Sequence, residues 1–74
     1  MVIMATIKKS RWKGSRRLED PLVINISNDE AQAELDSFLA QGFKCRFRTR
    51  SYKTELIHKF IDGVEHLILI LWDA

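Results

Sequence analysis

The chain is short of the residues that most often reinforce very small proteins. Among its 74 residues there is one cysteine, Cys45, which excludes an intramolecular disulfide. No group of Cys and His residues has the spacing of a zinc site, so we predict no metal. Since a core of this size seldom supplies more than about 3 to 5 kcal/mol, association with a second molecule is the remaining common source of stability. The lone cysteine also predicts a reducing, cytoplasmic location.

Proline, glycine and long apolar runs are scarce as well. One proline and three glycines, in a chain that is 46% hydrophobic and 30% charged, indicate one ordered domain over residues 1–74. No apolar run reaches the roughly 18 residues that a membrane span needs. A phosphate-binding glycine loop, a zinc-protease helix and a serine nucleophile elbow are all missing, so we predict neither an enzyme nor a cofactor.

Charge of one sign is missing from whole segments. Residues 1–17 carry six cations and no acid, and residues 18–42 carry six acids and no cation. Residues 43–53 carry five cations, and residues 54–74 carry four acids and one cation, for a net charge of +2. Such blocks predict a positive and a negative side, which concerns partners rather than fold.

The first third of the chain predicts two strands joined by a basic loop. Val2 to Ile7 is apolar and partly β-branched, and Leu22 to Ile26 alternates as a strand does. The residues between them, about 8 to 20, fit neither the helical nor the strand period, and we interpret them as a mobile binding loop. Its candidate partner-binding residues are Arg11, Trp12, Lys13, Arg16 and Arg17.

One helix is predicted over residues 28–41. Ser27 and Glu30 have the spacing of a capping box, and Gly42 stands where a left-handed C-cap is wanted. The apolar stripe of the helix consists of Ala31, Leu35, Phe38 and Leu39.

A three-stranded meander is predicted after the helix. Its first strand runs from Phe43 to Arg50, and two more strands flank the strong hairpin signal Asp62-Gly63. The fold class is therefore α+β, a mainly antiparallel sheet of four or five strands with one helix packed on one face, in the order β-β-α-β-β-β.

The register of these turns divides the meander into two faces. We expect the helix on the face formed by Phe43, Cys45, Phe47, Leu56, His58, Phe60, Leu67, Leu69 and Leu71. The other face combines a cationic ladder, Lys44, Arg46, Arg48 and Arg50, with the apolar residues Ile57, Ile68, Ile70 and Trp72. Because an uncovered apolar set is an association surface, we expect either the amino-terminal segment or a second copy to cover it, and we predict a homodimer through those four residues.

The remaining chemistry is a cross-strand pair of Cys45 and His58 on the predicted core face. A thiol between two phenylalanines is typical of an inert buried residue rather than a nucleophile.

The arginine ladder is the main candidate binding site. Guanidinium groups at intervals of about 6.6 to 6.8 Å along a strand suit carboxylates as well as phosphates. We therefore predict docking on an acidic protein surface, with nucleic acid as the alternative partner. A purely structural interpretation is that the cations keep this face soluble and protect an edge strand.

The segment Ala40-Gln41-Gly42-Phe43, between an acidic helix and a strand with Arg46 and Arg48, resembles part of a small coliphage-encoded inhibitor of bacterial RNA polymerase. The resemblance covers about residues 28 to 50, and the basic loop and the last hairpin have no counterpart in it. It implies a non-catalytic regulator or inhibitor that docks Arg46 and Arg48 on an acidic surface of a large host enzyme.

Overall fold

The computed structural model describes residues 4–49 and 53–72, which form an antiparallel sheet with one helix packed on it. The elements are β1 Met4–Lys13, β2 Arg16–Arg17, β3 Leu22–Ser27, α1 Asn28–Ala40, β4 Lys44–Arg48, β5 Thr54–Ile61 and β6 Val64–Trp72. The predicted α+β class and the position of the helix between the first hairpin and the meander are confirmed. Both ends of the chain lie outside the described residues. So do Arg50 and the predicted turn at Ser51 and Tyr52.

Five of the six strands lie side by side in the sheet, and the sixth, β3, lies in line with β2. The hydrogen-bonded order is β2-β1-β6-β5-β4, and β3 also pairs with β1. β2 lies opposite Trp12 and Lys13, whereas β3 lies opposite Met4 to Lys9. Both short strands therefore lie along the same edge of β1, and β1 itself is an interior strand between them and β6.

The predicted mobile loop over residues 8–20 is wrong for residues 8–17, which lie in β1, a turn and β2. β1 continues to Lys13, and Trp12 pairs with Arg17 across a tight turn at Gly14-Ser15. Gly14 has φ +63°, a left-handed conformation that glycine adopts without steric cost. Gly-Ser is a recognised two-residue hairpin signal, so the turn had a signature in the sequence.

The helix forms where its capping signals place it. Ser27 Oγ accepts a hydrogen bond from the Glu30 N–H at 3.2 Å, and Gly42 has φ +100° immediately after the last turn. Ala31 and Leu35 are buried against the sheet. The predicted helix and both of its caps are confirmed.

The face that the helix covers is the opposite of the predicted one. The core consists of Ala5, Ile7, Ala31, Leu35, Phe43, Ile57, Ile68 and Ile70, with Trp72 packed against it. Of the residues predicted to face the helix, only Phe43 belongs to this core. The predicted homodimer surface is therefore wrong, because Ile57, Ile68 and Ile70 are buried in one core with Ala31 and Leu35 of α1 in the same chain, and Trp72 is partly buried against that core.

Strand β1 supplies the physical reason for this choice. Both faces of β6 are apolar, so β6 alone cannot decide where a helix packs. On β1, Ala5 and Ile7 lie on one face and Thr6 and Lys8 on the other. Packing α1 on the Ala5 and Ile7 side avoids burying the Lys8 ammonium, which would be costly.

Strand β4 contains a bulge at Arg46. Cys45 lies opposite Ile57, and Phe47 lies opposite Leu56, so Arg46 is an extra residue between two paired ones. The predicted pairing of Arg48 with Glu55 is confirmed, but Cys45 does not lie opposite His58. Because the bulge shifts the alternation by one residue, Phe47 turns away from the helix.

Candidate functional site

The candidate site is the sheet surface opposite α1, which we call the open face. By the strand register it comprises Met4, Thr6, Lys8, Ser10, Trp12, Arg17, Val23, Lys44, Arg46, Phe47, Leu56, His58, Phe60, Glu65, Leu67, Leu69 and Leu71. Two aromatic members are strongly exposed, Phe47 at 55% and Phe60 at 63%. No element of residues 4–49 and 53–72 packs over this face in the way α1 covers the other.

The centre of the open face is apolar. Leu69 lies opposite Lys8 on one side and opposite Leu56 on the other, and Phe47 follows Leu56 on the edge strand. One row across four strands therefore reads Lys8, Leu69, Leu56, Phe47. Leu71 adds a further exposed side chain, at 42%. Neighbouring apolar side chains left uncovered on one face of a sheet make this surface the candidate site.

A shallow depression of about 210 Å³ marks the β1 side of this centre. Its polar wall contains Lys8, Trp12 and Arg17, and its apolar floor contains Leu67 and Leu69. The indole N–H of Trp12 donates a hydrogen bond to Ser10 Oγ at 3.0 Å. The ring is thereby fixed beside Arg17, its cross-strand neighbour.

The only acid on the open face among the described residues is Glu65, and it is already engaged. Its Oε2 accepts from Arg46 Nη1 at 3.2 Å and lies 2.8 Å from His58 Nδ1. The carboxylate is largely buried between these two groups. Arg46 thus uses one of its hydrogen-bond donors within the molecule.

Arg48 points to the other side of the sheet. It lies opposite Glu55, and the two side chains form an ion pair in which Glu55 is almost fully buried. Glu55 occupies a core-facing position beside Ile70, so its charge needs a partner. The role of Arg48 is therefore structural.

The predicted ladder of Lys44, Arg46, Arg48 and Arg50 on one face is accordingly wrong. Lys44 and Arg46 lie on the open face, Arg48 lies on the helix face, and Arg50 is outside the described residues. The bulge at Arg46 causes this split, because alternation is continuous only within a regular strand.

The cations of the first hairpin are partly neutralised near its base. Arg11 Nε donates to Glu19 Oε1 at 2.6 Å, and this hydrogen bond, helped by the charge of Arg11, holds the pKa of Glu19 below its ordinary value. Arg17 lies 3.7 Å from Asp20, a contact too long for a strong pair. Lys13 and Arg16 lie opposite each other in the strand register, on either side of the turn, and both are exposed.

Most acids of the folded chain lie on the far side from the open face. Helix α1 carries Asp29, Glu30, Glu34 and Asp36 and no cation. The helix face of the sheet also carries cations, among them Lys9, Arg11, Arg48 and Lys59, so the acids of α1 do not make this side of the molecule negative as a whole. The predicted division into a positive and a negative side is therefore wrong, because the charge blocks of the sequence are mixed when the strands pair.

The described residues bring together little catalytic chemistry. Within residues 4–49 and 53–72 no three His, Cys, Asp or Glu side chains could hold a metal ion. Cys45 is exposed rather than buried between phenylalanines, and it lies on the opposite face from His58. His58 and His66 lie on opposite faces of the sheet. The described part of the chain contains no helix long and apolar enough to span a membrane.

Two aromatic residues of the open face, Phe47 and Phe60, were missed as binding candidates because they were predicted to lie in the core. The sequence carried one signal against that assignment. Thr6, Lys8 and Ser10 occupy the same face of β1, and a polar alternation of this kind is typical of a solvent-facing surface.

Comparisons with protein-family models, with curated proteins and with solved structures found no match to this chain. The resemblance to a phage-encoded polymerase inhibitor stays a prediction.

Proposed function

We propose that the chain is a non-catalytic, cytoplasmic binding module that docks its open face on a protein partner. The observation that carries this proposal is the combination of an uncovered apolar centre with cations around it. Leu56, Leu67, Leu69 and the exposed Phe47 and Phe60 form that centre. A regulator or inhibitor of a larger enzyme, as the phage resemblance implies, is one form such a module takes.

The charges around the centre favour an acidic partner. Lys8, Arg17, Lys44 and Arg46 surround it, whereas Glu65, the one acid of the face among the described residues, is bonded to Arg46 and His58. Carboxylates on the partner would meet these cations at the rim, where complementary charge speeds association and selects the partner.

A second copy of the chain fits this face less well. A face-to-face homodimer would bring the cationic rims of two copies together, and like charges in contact cost free energy. Shape and hydrophobicity allow such a sandwich of two sheets, but the electrostatics oppose it.

Single-stranded nucleic acid is the second candidate, and one observation favours it. Trp12 and Phe60 both lie opposite Glu65, on its two sides, and Arg17 is the next neighbour of Trp12. Aromatic rings beside cations on an open sheet are a common platform for stacked bases. The three leucines of the centre have no counterpart in that mode of binding, so we rank it second.

The test compares two double variants, each of which removes two exposed apolar side chains. Phe47→Ser with Phe60→Ser alters the open face, and Leu22→Ser with Leu39→Ser alters exposed positions away from it. We expect the first pair to abolish capture of partner from a lysate of the native host and the second pair to leave it intact. Equal capture by both pairs would contradict the proposal.

The nucleic-acid alternative is separated by fluorescence anisotropy with random single-stranded oligonucleotides over a salt series. Binding with a steep salt dependence, lost in the Phe47 and Phe60 pair, would replace the protein partner by nucleic acid. Sedimentation of the isolated chain at rising concentration tests whether a second copy occupies the open face. A dimer that is lost in the Phe47 and Phe60 double variant would identify that second copy as the partner.

A further inference from the structure

A second cavity lies on the helix side of the sheet, where α1 ends. It has a volume of about 570 Å³, and we call it the end groove. Its main lining residues are Lys9, Arg11, Phe38, Phe43, Ile61 and His66. The end groove lies on the other side of the sheet from the open face. Ligand binding there is therefore independent of whether the open face binds a partner.

The groove exists because the helix is shorter than the strands it covers. Helix α1 has 13 residues and is about 20 Å long, whereas the ten residues of β1 extend over about 34 Å. The helix begins next to the Met4 end of the sheet, since it follows Ser27, the partner of Met4. The hairpin end of the helix face, from Lys9 onward, is therefore left partly uncovered.

The apolar wall of the groove is aromatic. The rings of Phe38 and Phe43 pack with centroids 5.1 Å apart at the end of the helix. Ile61, on the edge of the β5–β6 turn, is 42% exposed and adds an aliphatic side chain. A cavity of this volume with apolar walls and a few polar groups has the character of a small-molecule site.

The polar wall contains two cations, Lys9 and Arg11, and two acids, Glu19 and Asp20. Lys9 Nζ lies 5.3 Å from the centre of the Phe38 ring, and among the described residues no acid forms an ion pair with it. Arg11 lies two residues further along the same face of β1, and His66 is its cross-strand neighbour. Only the Nε of Arg11 bonds to Glu19 in the described chain, which leaves its terminal donors for an anion.

One of the two acids that line the groove is compensated. Glu19 is paired with Arg11, whereas the side chain of Asp20 is fully solvent-exposed. At the negative end of the helix dipole, Lys59 Nζ donates to the Gln41 carbonyl oxygen. The uncompensated positive charge of the groove is that of Lys9, and Arg11 adds N–H donors.

We propose that the end groove binds a small organic acid, a carboxylate attached to an apolar body. The carboxylate lies between Lys9 and Arg11, and the apolar body packs on Phe38, Phe43 and Ile61. Guanidinium and ammonium groups over an aromatic wall match this chemistry at both of its ends.

The experiment titrates the full chain with phenylbutyrate, followed by two-dimensional NMR, against phenylbutyramide, which has the same shape without the charge. We expect the carboxylate at millimolar concentration to shift the resonances of Phe38, Ile61 and His66, and the amide to bind about tenfold more weakly. This comparison needs no variant, so it stands even if a substitution harms folding.

A matched pair of variants places the site. Lys9→Gln removes a groove cation, and Lys8→Gln removes the same charge from the neighbouring residue on the open face. We expect Lys9→Gln to weaken phenylbutyrate binding several-fold and Lys8→Gln to leave it unchanged. Equal binding of acid and amide, equal effects of the two variants, shifts confined to the open face, or no shift at all would each overturn the proposal.

Discussion

Two arginines of one strand, Arg46 and Arg48, differ in role because a bulge separates them. Arg46 reaches Glu65 on the open face, where His58 contacts the same carboxylate oxygen. Arg48 pairs with the buried Glu55 on the helix face. The free energy of unfolding that is lost with each arginine depends on the surroundings of its glutamate partner. A buried carboxylate without a partner is strongly destabilising, whereas a partly solvated one is not.

We therefore predict that Arg48→Met lowers the free energy of unfolding by about 1–3 kcal/mol, because it leaves the Glu55 carboxylate buried without its guanidinium. Arg46→Met is the matched control and should cost less than about 1 kcal/mol, since His58 still contacts Glu65. Urea denaturation measures both. A larger loss for Arg46→Met than for Arg48→Met would contradict these roles.

The pair of Arg11 and Glu19 predicts a pH effect that is confined to the first hairpin. The hydrogen bond from Arg11 lowers the pKa of Glu19 in the folded chain. A carboxyl whose pKa is lowered by folding stabilises the fold above its unfolded pKa, and that stabilisation is lost as the pH falls through the folded pKa. The ion pair should therefore stop stabilising the hairpin as the pH falls through the folded pKa of Glu19.

We expect Arg11→Gln to raise the pKa of Glu19 toward its ordinary value, as measured by NMR titration of the side-chain carboxyl. Arg16→Gln removes the same charge from the tip of the hairpin and should leave that titration unchanged. A Glu19 titration that is identical in the wild type and in Arg11→Gln would show that the ion pair does not form in solution.

At the scale of elements, the sequence predicts what neighbouring residues determine. The helix follows from Ser27, Glu30 and Gly42, and the last hairpin follows from Asp62 and Gly63, both of which adopt positive φ. The pairing of β5 with β6 then follows by counting from the turn. These signals are local, so no tertiary contact is needed to interpret them.

The bulge and the choice of the covered face were not predictable in the same way. Nothing in the stretch around Arg46 distinguishes a regular strand from a bulged one, because both keep apolar and cationic residues in alternation up to that point. The covered face depends on how β1 docks beside β6, a contact between residues far apart in sequence. Because the helix was assigned to the wrong one of these two faces, the error carried through to the predicted core and to the predicted dimer surface.

The bulge itself yields a prediction about deleting a residue. Removing Arg46 leaves Cys45 and Phe47 opposite Ile57 and Leu56, so the remaining residues keep their partners in a regular strand. We expect this deletion to fold and to change the unfolding free energy by less than about 1 kcal/mol, the worth of the lost exposed ion pair.

Deletion of His58, in the interior strand β5, is the control. It should unfold the chain, because it moves one part of β5 to the wrong face of the sheet. Circular dichroism and NMR dispersion distinguish the two outcomes. Unfolding of the Arg46 deletion would mean that β4 pairs regularly and that the ladder of cations lies on one face after all.

At the scale of the whole molecule, the sheet separates two surfaces of different chemistry. One side carries the acidic helix and the end groove, and the other carries leucines and phenylalanines within a cationic rim. Composition alone predicted both charge signs but not the apolar centre between the cations, because those leucines were assigned to the core. The proposed function depends on this centre being uncovered in the isolated chain and covered in the complex.

The most direct test places a photo-crosslinking phenylalanine analogue at one position at a time in the native host. In place of Phe60 it lies on the open face, and in place of the exposed Gln32 it lies on α1. The account predicts a discrete crosslinked protein partner from position 60 and none from position 32. Crosslinks to the partner from position 32 alone would contradict it and would make the acidic helix, rather than the open face, the recognition surface.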